Sequence, residues 1–219
     1  MRKVGKFVSY TDQVYREIKG AIVSEDIKPN DVIQERAIAE QLGVSRTPVR
    51  EALKKLEFEG WVETRPWKGV VVNDVDRADM VEVFQCRLAN EGFVLRVISS
   101  DITDENLKDL AEFQKRMEDV KYESPQEFIH EDRNFHMYLA QLTNNRRLIQ
   151  FLDHLSDQMI RLGIKVISDS SRIDETLVEH QAIIDALRER SPELAYEAIA
   201  NHIHRTEERL FSMIEEESS

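Results

Sequence analysis

The chain has 219 residues, of which 41% are hydrophobic and 33% are charged, and its formal net charge is −12. This length can bury two compact cores, and no apolar run approaches the roughly 18 residues of a membrane-spanning helix. Residues 1–6 lack the apolar stretch of a signal peptide, and the single cysteine, Cys86, excludes an internal disulfide. The composition predicts a helix-rich, two-domain protein of the reducing cytoplasm.

The negative charge is distributed unevenly along the chain. Residues 1–74 hold 13 Lys and Arg against 12 Asp and Glu, whereas residues 75–219 hold 17 against 30. Strong negative charge disfavours non-specific binding to nucleic acid. Any contact with DNA is therefore expected from a local basic surface of the first part, with the acidic second part directed away from the DNA.

Three helices and a β-hairpin are predicted in the first part of the chain. The helices are expected where apolar residues recur at helical spacing, and the strands where short β-branched runs flank a turn. The predicted spans are about 12–24, 35–42 and 45–59 for the helices and 61–64 and 70–72 for the strands. This order predicts a winged helix-turn-helix in a domain of residues 1–75.

Residues 42–53 predict the turn and the second helix of that helix-turn-helix. Gly43 can adopt the left-handed conformation that ends a helix, and Ser45 can cap the helix that follows. Pro48 falls in the first turn, where its missing N–H is tolerated. The segment therefore predicts a short helix that begins at a sharp turn.

Basic side chains cluster around the start of this third helix. Arg46 and Arg50 are four residues apart and share a helix face, from which arginine can make bidentate contacts with guanine edges. Thr47 can contact a phosphate or a thymine methyl group, and Arg36 can hold a backbone phosphate. The alternative for an isolated arginine pair is a solvated basic face beside a structural turn, but the full pattern favours DNA binding.

The turn between the two predicted strands forms the expected wing tip. Lys68 provides a cation beside Gly69, which is small enough to approach a DNA groove. Trp67 precedes them, and two interpretations remain open: it packs under the wing, or it touches DNA.

The segment Glu35-Arg36, followed by residues 43–53, resembles the signature of GntR-family bacterial transcription regulators. The resemblance covers about residues 8–73 and implies a homodimer on a short palindromic DNA operator. In that family, operator contacts are made by the residues matching Arg36, Arg46, Thr47 and Arg50, and the wing residues matching Lys68 and Gly69 enter the minor groove.

The second part of the chain predicts an all-α bundle of about six helices in a domain of residues 76–219. Helix starts are marked by Thr103, Ser124 and Ser191, each followed by residues typical of a first turn. Gly92 falls inside the first of these helices, where close helix packing or a kink is expected. The predicted spans are about 77–98, 103–120, 125–141, 145–167, 173–189 and 192–216.

A group of histidines predicts a second functional site. Asp132 and His136 are four residues apart on one predicted helix, and His180 and His202 lie in the middle of two others. Three imidazoles and one carboxylate can surround a divalent metal and leave open positions for solvent. The alternative is a set of satisfied core histidines. The other histidines are interpreted as surface or packing residues: His130, His154 and His204.

These four positions resemble the ligand positions of the helical effector domain in FadR-type GntR regulators, and six helices resemble its VanR-like subgroup. The resemblance implies that Asp132, His136, His180 and His202 hold Zn, Ni or Mn, and that a small carboxylate effector completes the coordination. Arg87 matches a pocket arginine of several members and is expected to pair with the effector. Its alternative is an ion pair with Glu91 on the helix surface.

Together these features predict a ligand-responsive, DNA-binding transcription regulator, with repression expected, and not an enzyme. One alternative is a metal-dependent enzyme with an accessory DNA-binding module, in which the cluster activates a water molecule. That alternative has no evident general base and leaves the winged helix unexplained. A third interpretation is a structural bundle without metal.

Overall fold

The computed structural model describes residues 9–166 and 170–217. The chain is mainly helical and divides into two units, Met1–Asp76 and Arg77–Ser219. Among the described residues, no helix has both the length and the apolar character needed to cross a membrane.

Within residues 9–76, the described part of the first unit, the chain forms three helices and a three-stranded antiparallel sheet. In chain order its elements are α1 (Tyr10–Val23), β1 (Val32–Ile33), α2 (Glu35–Gln41), α3 (Arg46–Phe58), β2 (Val62–Arg65) and β3 (Gly69–Val72). The sheet order is β1-β3-β2. The predicted winged helix-turn-helix is confirmed, and its hairpin is the β2–β3 pair.

Strand β1 is not predicted from the sequence. It has two residues, too few to display the alternation by which strands are recognised in a sequence. Val32 pairs with Val71 and Ile33 with Val70 across the antiparallel ladder, and Ile33 is buried. The strand thus depends on a partner nearly forty residues further along the chain.

Gly43 ends α2 as predicted, with a φ of +65°. Its N–H donates to the carbonyl of Glu40, and the N–H of Val44 donates to the carbonyl of Ala39, the paired bonds of a Schellman motif. The predicted cap by Ser45 is wrong, because its hydroxyl makes no capping hydrogen bond. The residue three positions later is Pro48, which lacks the N–H that a capping hydroxyl commonly binds.

Helix α3 is fixed to the first unit by its apolar face. Val49, Leu53 and Leu56 are buried there, together with Val14 and Ile18 of α1. Full burial of each such side chain contributes roughly 1.5–3 kcal/mol. The opposite face of α3 is consequently held towards solvent with little freedom to rotate.

The described residues of the second unit form six α-helices, as predicted, with a short 3-10 turn (Ser99–Asp101) after the first. They are α4 (Arg77–Ile98), α5 (Asp104–Val120), α6 (Pro125–Leu142), α7 (Arg146–Val166), α8 (Ser170–Arg188) and α9 (Pro192–Glu217). Residue 167, the predicted end of α7, lies outside the described residues. The three predicted caps are confirmed by hydrogen bonds from first-turn N–H groups to the hydroxyls of Thr103, Ser124 and Ser191.

Close packing of α4 against α9 explains the glycine inside α4. A Cβ atom added to Gly92 would lie 2.6 Å from Cε2 of Tyr196, which is shorter than any ordinary van der Waals contact. Of the two expectations for this glycine, close helix packing is the one observed.

Candidate functional site

Three helices of the second unit bring the four predicted ligand residues together. Asp132 and His136 lie one turn apart on α6, His180 lies on α8 and His202 on α9. One ligand atom of each residue lies within 4.8 Å of the others. The remaining histidines are not part of this cluster: His130, His154 and His204.

The three imidazole rings surround a common centre. Their centroids are 5.1 Å apart for His136–His180 and for His136–His202, and 4.8 Å apart for His180–His202. One carboxylate oxygen of Asp132 lies 3.3 Å from Nε2 of His180 and 3.9 Å from Nε2 of His136. Small side-chain rotations would bring these atoms to the ligand distance of about 2 Å that Zn²⁺ requires.

Two buried glutamates contact the imidazoles through their other ring nitrogens. Nδ1 of His202 lies 2.8 Å from Oε2 of Glu179. Nδ1 of His136 lies 2.7 Å from Oε2 of Glu91, although not in regular hydrogen-bond geometry. Both contacts leave Nε2 for the centre. Carboxylates in this position orient ligand imidazoles and raise their basicity.

Glu179 is itself held by a buried arginine. Arg172 donates from Nη1 and Nη2 to the two oxygens of Glu179, at 2.7 Å each, and from Nη2 to Oγ1 of Thr206 at 2.8 Å. Burial acts to raise the pKa of Glu179, but the hydrogen bonds from His202 and Arg172 outweigh it and lower the pKa to about 2. The carboxylate is therefore ionised at neutral pH.

The protonation states at the centre suit metal binding. Burial lowers the pKa of His202 to about 3, against the opposing hydrogen bond to Glu179. Burial also lowers the pKa of His180, against the opposing effect of Asp132. For Asp132 itself, burial acts to raise the pKa, but the surrounding imidazoles lower it overall. Metal ligands must be neutral imidazoles and ionised carboxylates, which these pKa shifts favour at neutral pH.

His180 differs from a satisfied core histidine. Its side chain is completely buried, and within the described part of the chain neither ring nitrogen makes a regular hydrogen bond, although Nε2 lies 3.3 Å from Oδ1 of Asp132. The ring of Phe135 stacks on it at a centroid distance of 4.3 Å and an interplanar angle of 9°. A buried polar group without a partner costs about 1–3 kcal/mol, and a metal ion at the centre would use the lone pair of Nε2. The residues present therefore fit a divalent metal.

Arg87 reaches the same centre from α4. Its Nε donates to Oε1 of Glu91 at 2.6 Å, and its Nη2 lies 3.5 Å from Nε2 of His136. The alternative expectation, an Arg87–Glu91 ion pair on the helix surface, is wrong about where the pair lies. The ion pair exists, but the two side chains are only 6% and 8% exposed.

A cavity opens beside the cluster. It is lined by residues of α4, α6, α7, α8 and α9. Its polar side includes Arg87, Asp132, His136 and His202. Its apolar wall includes Phe128, Ile129, Leu152, Leu155, Met159 and Ile160.

In the first unit, Glu35 of α2 joins the two predicted DNA-reading arginines. Its Oε2 accepts hydrogen bonds from Nη2 of Arg46 at 3.1 Å and from Nη2 of Arg50 at 2.9 Å. The arginine side chains remain 61% and 55% exposed. Glu35 therefore gathers two guanidinium groups on the solvent side of α3.

The other predicted DNA-contact residues are also exposed. Arg36 points into solvent beside Glu40, to which it donates at 2.8 Å, and Thr47 is exposed on the first turn of α3. Lys68 and Gly69 are exposed at the β2–β3 turn, where Gly69 has a φ of +91°. These positions are sterically open to DNA.

Trp67 projects fully into solvent from the same turn. The interpretation that it packs under the wing is therefore wrong, and the buried indole of this unit belongs to Trp61 instead. Trp67 has a φ of +66°, in the left-handed region that bulky residues seldom occupy. A strained, exposed indole is an unusual residue for a surface turn.

Sequence reasoning missed the partners that hold these sites in place. The sequence pattern names Glu35 and Glu91 only as neighbours of other residues, and it assigns no role to Glu179 or Arg172. One signal was available, since Arg172 and Glu179 are seven residues apart and so share a helix face. Nothing comparable marks Glu35, whose partners lie on another helix.

Comparison with known proteins matches family models to both parts of the chain. The model described as "Bacterial regulatory proteins, gntR family" matches residues 10–72. The model described as "FCD domain" matches residues 82–205, more than half of the chain. Both families are transcription regulators and not enzymes, so the metalloenzyme alternative is set aside.

Individual relatives agree with the family assignment. The chain is 27% identical over 218 residues to the uncharacterized HTH-type transcriptional regulator YdhC of Bacillus subtilis (strain 168), covering 98% of this chain and 96% of YdhC. It is 27% identical over 208 residues to the HTH-type transcriptional repressor RspR of Escherichia coli (strain K12), covering 94% and 91%. The solved structure of E. coli McbR/YncC has a TM-score of 0.81 at 22% identity, covering 95% and 100%, which shows the same fold.

Proposed function

The chain belongs to the GntR family of bacterial transcription regulators with an FCD effector domain, and we propose that it is a repressor controlled by a small carboxylate. It binds a palindromic operator as a homodimer, and a metal-dependent site in the second unit receives the effector. The relative RspR is a transcriptional repressor, which supports repression over activation.

One observation carries the DNA-binding part of the proposal. Two exposed guanidinium groups, those of Arg46 and Arg50, are gathered by Glu35 on the solvent face of the second helix of a helix-turn-helix. This helix reads the major groove in such motifs. Arg46 and Arg50 contact base edges, Thr47 contacts a phosphate or a thymine methyl group, and Arg36 binds a backbone phosphate.

The wing supplies a second contact. Lys68 and Gly69 approach the adjacent minor groove, where a small residue permits close approach and a cation meets the negative potential between the two phosphate backbones. The exposed indole of Trp67 lies next to them in sequence and takes part in the same contact. This role gives a reason for a bulky side chain in a strained conformation.

The second unit holds the effector. Asp132, His136, His180 and His202 bind a divalent ion, of which Zn, Ni and Mn are candidates. A divalent ion held by these residues would supply positive charge that attracts a carboxylate oxygen. Arg87, which also pairs with Glu91, lies beside the cluster and would donate a hydrogen bond to the effector's carboxylate.

Effector binding changes operator affinity through a shift in equilibrium. A ligand shifts an equilibrium between two arrangements only if it binds one of them more tightly. Half-sites on one palindrome lie about 34–36 Å apart, or a multiple of this. Two DNA-reading heads in a dimer must match that spacing, so a modest change in their separation weakens simultaneous contact.

A selection of genomic DNA fragments tests the proposal. Immobilised full-length chain, loaded with metal, is incubated with sheared DNA from its own genome, and retained fragments are sequenced. We expect enrichment of a few fragments that share an inverted repeat, and binding of two chains to each repeat by light scattering of the complex. Retention without a shared motif, or binding of a single chain per site, would contradict it.

A further inference from the structure

The residues that line the cavity beside the metal-ligand cluster restrict the chemistry of the ligand that it can bind. We infer that it takes a carboxylate with a single negative charge and an apolar body, and not a polyhydroxylated sugar acid or a dicarboxylate. The inference rests on the proposed function, because it takes the metal-bearing cluster as the anchor of the carboxylate. Three observations support it.

The first observation is that the arginines of the cavity are already neutralised. Arg87 pairs with Glu91 at 2.6 Å, and Arg172 makes a bidentate pair with Glu179. Both pairs are buried. The third arginine is Arg133, whose Nη2 lies 2.5 Å from Oδ1 of Asp153 and 3.6 Å from Oδ1 of Asp157. None of the three contributes an uncompensated positive charge.

The remaining charges limit the charge of the ligand. Asp132 provides one negative charge, and a divalent ion provides two positive charges. The centre therefore carries one net positive charge before the ligand enters. A monocarboxylate neutralises it, whereas a dicarboxylate leaves an excess negative charge in a largely buried site, which is strongly unfavourable.

The second observation concerns the hydroxyl groups of the cavity. Among the described residues that line it, the uncharged hydroxyls belong to Ser156, Thr176 and Thr206. Each donates to a main-chain carbonyl of its own helix, at 2.8, 2.9 and 2.9 Å. A hydroxyl has one hydrogen, so none has a donor left for a ligand. The hydroxyl oxygens of a polyhydroxylated ligand would therefore find no hydroxyl donor here to replace the hydrogen bonds that they lose with water.

The third observation is the apolar wall. Described residues of α6 and α7 face the cavity with hydrocarbon or thioether side chains, among them Phe128, Leu152, Leu155, Met159 and Ile160. Apolar surface on a ligand gains free energy when it replaces water against such a wall. The wall favours an alkyl or aromatic body on the acid.

A series of six-carbon probes tests the inference. Hexanoate, gluconate, adipate and 1-hexanol are titrated calorimetrically into metal-loaded full-length chain. The members differ in hydroxylation, in a second charge and in the absence of a carboxylate. We expect hexanoate to bind at least about tenfold more tightly than each of the other three. Gluconate lacks the run of methylenes, each of which contributes up to about fourfold in affinity when buried. Adipate adds a second negative charge, and 1-hexanol lacks the carboxylate. Gluconate or adipate binding as tightly as hexanoate, or no binding of hexanoate, would overturn the inference.

A near-isosteric variant gives a second readout at the wall. Met159→Gln places a free amide in the cavity, and the side chain is only partly buried, so folding is preserved. We expect this substitution to weaken hexanoate binding severalfold and to reduce the ratio of the affinity for hexanoate to the affinity for gluconate. The matched control is Met213→Gln, a partly buried methionine that is not among the lining residues. Equal hexanoate affinity in wild type and Met159→Gln would contradict the claim that the apolar wall contacts the body of the acid.

The inference and the proposed function fail in different ways. If the chain binds hexanoate but retains no specific DNA fragment in the selection, the inference about the cavity stands and the proposed regulator function is contradicted. Specific DNA binding together with tight gluconate binding would support the regulator and contradict the inference.

Discussion

Nδ1 of His202 lies 2.8 Å from Oε2 of Glu179, and this contact connects the candidate metal centre to a buried arginine. Since Glu179 is ionised, the ring nitrogen donates and Nε2 keeps its lone pair for the centre. Arg172, which is 2% exposed, fixes the carboxylate in turn. The orientation of one ligand thus depends on residues that never touch the metal.

Replacing this carboxylate is expected to weaken metal binding. Glu179→Gln keeps the shape of the side chain but removes the charge that polarises His202. Loss of such a partner typically lowers metal affinity about 10–100-fold, measured by competition with a chelator of known affinity. Glu175→Gln is the control, because this glutamate contacts Arg172 but is 52% exposed. Equal losses in both variants would show that the effect is not specific to Glu179.

Specific DNA binding is expected to depend on the paired arginines. Arg46→Ala and Arg50→Ala should each weaken operator binding by about 1–3 kcal/mol and relax specificity at the contacted bases. Titration of labelled operator at fixed salt measures both effects. Arg188→Ala removes the same charge from an exposed position of the second unit and should leave affinity nearly unchanged. If each substitution lowers the affinity for unrelated DNA as much as the affinity for the operator, the proposed contacts of Arg46 and Arg50 with base edges are contradicted.

Trp67 is expected to contact DNA without contributing charge. Trp67→Ala should weaken operator binding severalfold at an unchanged salt dependence, whereas Lys68→Ala should reduce the slope of log affinity against log salt by about one. The chain has two tryptophans, and only Trp67 is exposed. Operator DNA should therefore shield the accessible fluorescence from acrylamide. Quenching that is unaffected by saturating operator would rule out the contact.

Glycine substitutions in two helices should have opposite effects on stability. Gly92→Ala places a methyl group 2.6 Å from the ring of Tyr196, and overpacking of this kind costs about 1–3 kcal/mol. Gly20→Ala meets nothing within 4 Å in α1, so helix propensity should stabilise the first unit by up to about 1 kcal/mol. Thermal unfolding measures both. A stabilising Gly92→Ala would contradict the close α4–α9 packing.

The sequence predicts the helices of the second unit, and the proximity of the four clustered residues, where the signal is local. Helical periodicity and capping residues located the six helices of the second unit, and the four-residue spacing of Asp132 and His136 placed both at one centre. Signals that depend on the tertiary fold were not visible. Strand β1 exists only through β3, the role of Glu35 depends on the angle between two helices, and burial of the Arg87–Glu91 pair depends on α6.

We propose that the metal centre in the second unit controls DNA binding by the first unit. The most direct measurement is operator affinity of metal-loaded wild type and His136→Ala, each with and without saturating hexanoate, with metal content determined on the same samples. We expect the acid to lower the operator affinity of the wild type at least about tenfold, a coupling of roughly 1.4 kcal/mol. The His136→Ala variant should lose the metal and keep its operator affinity, and hexanoate should not change that affinity. An equal response of both proteins, or a variant that retains the metal, would contradict the claim.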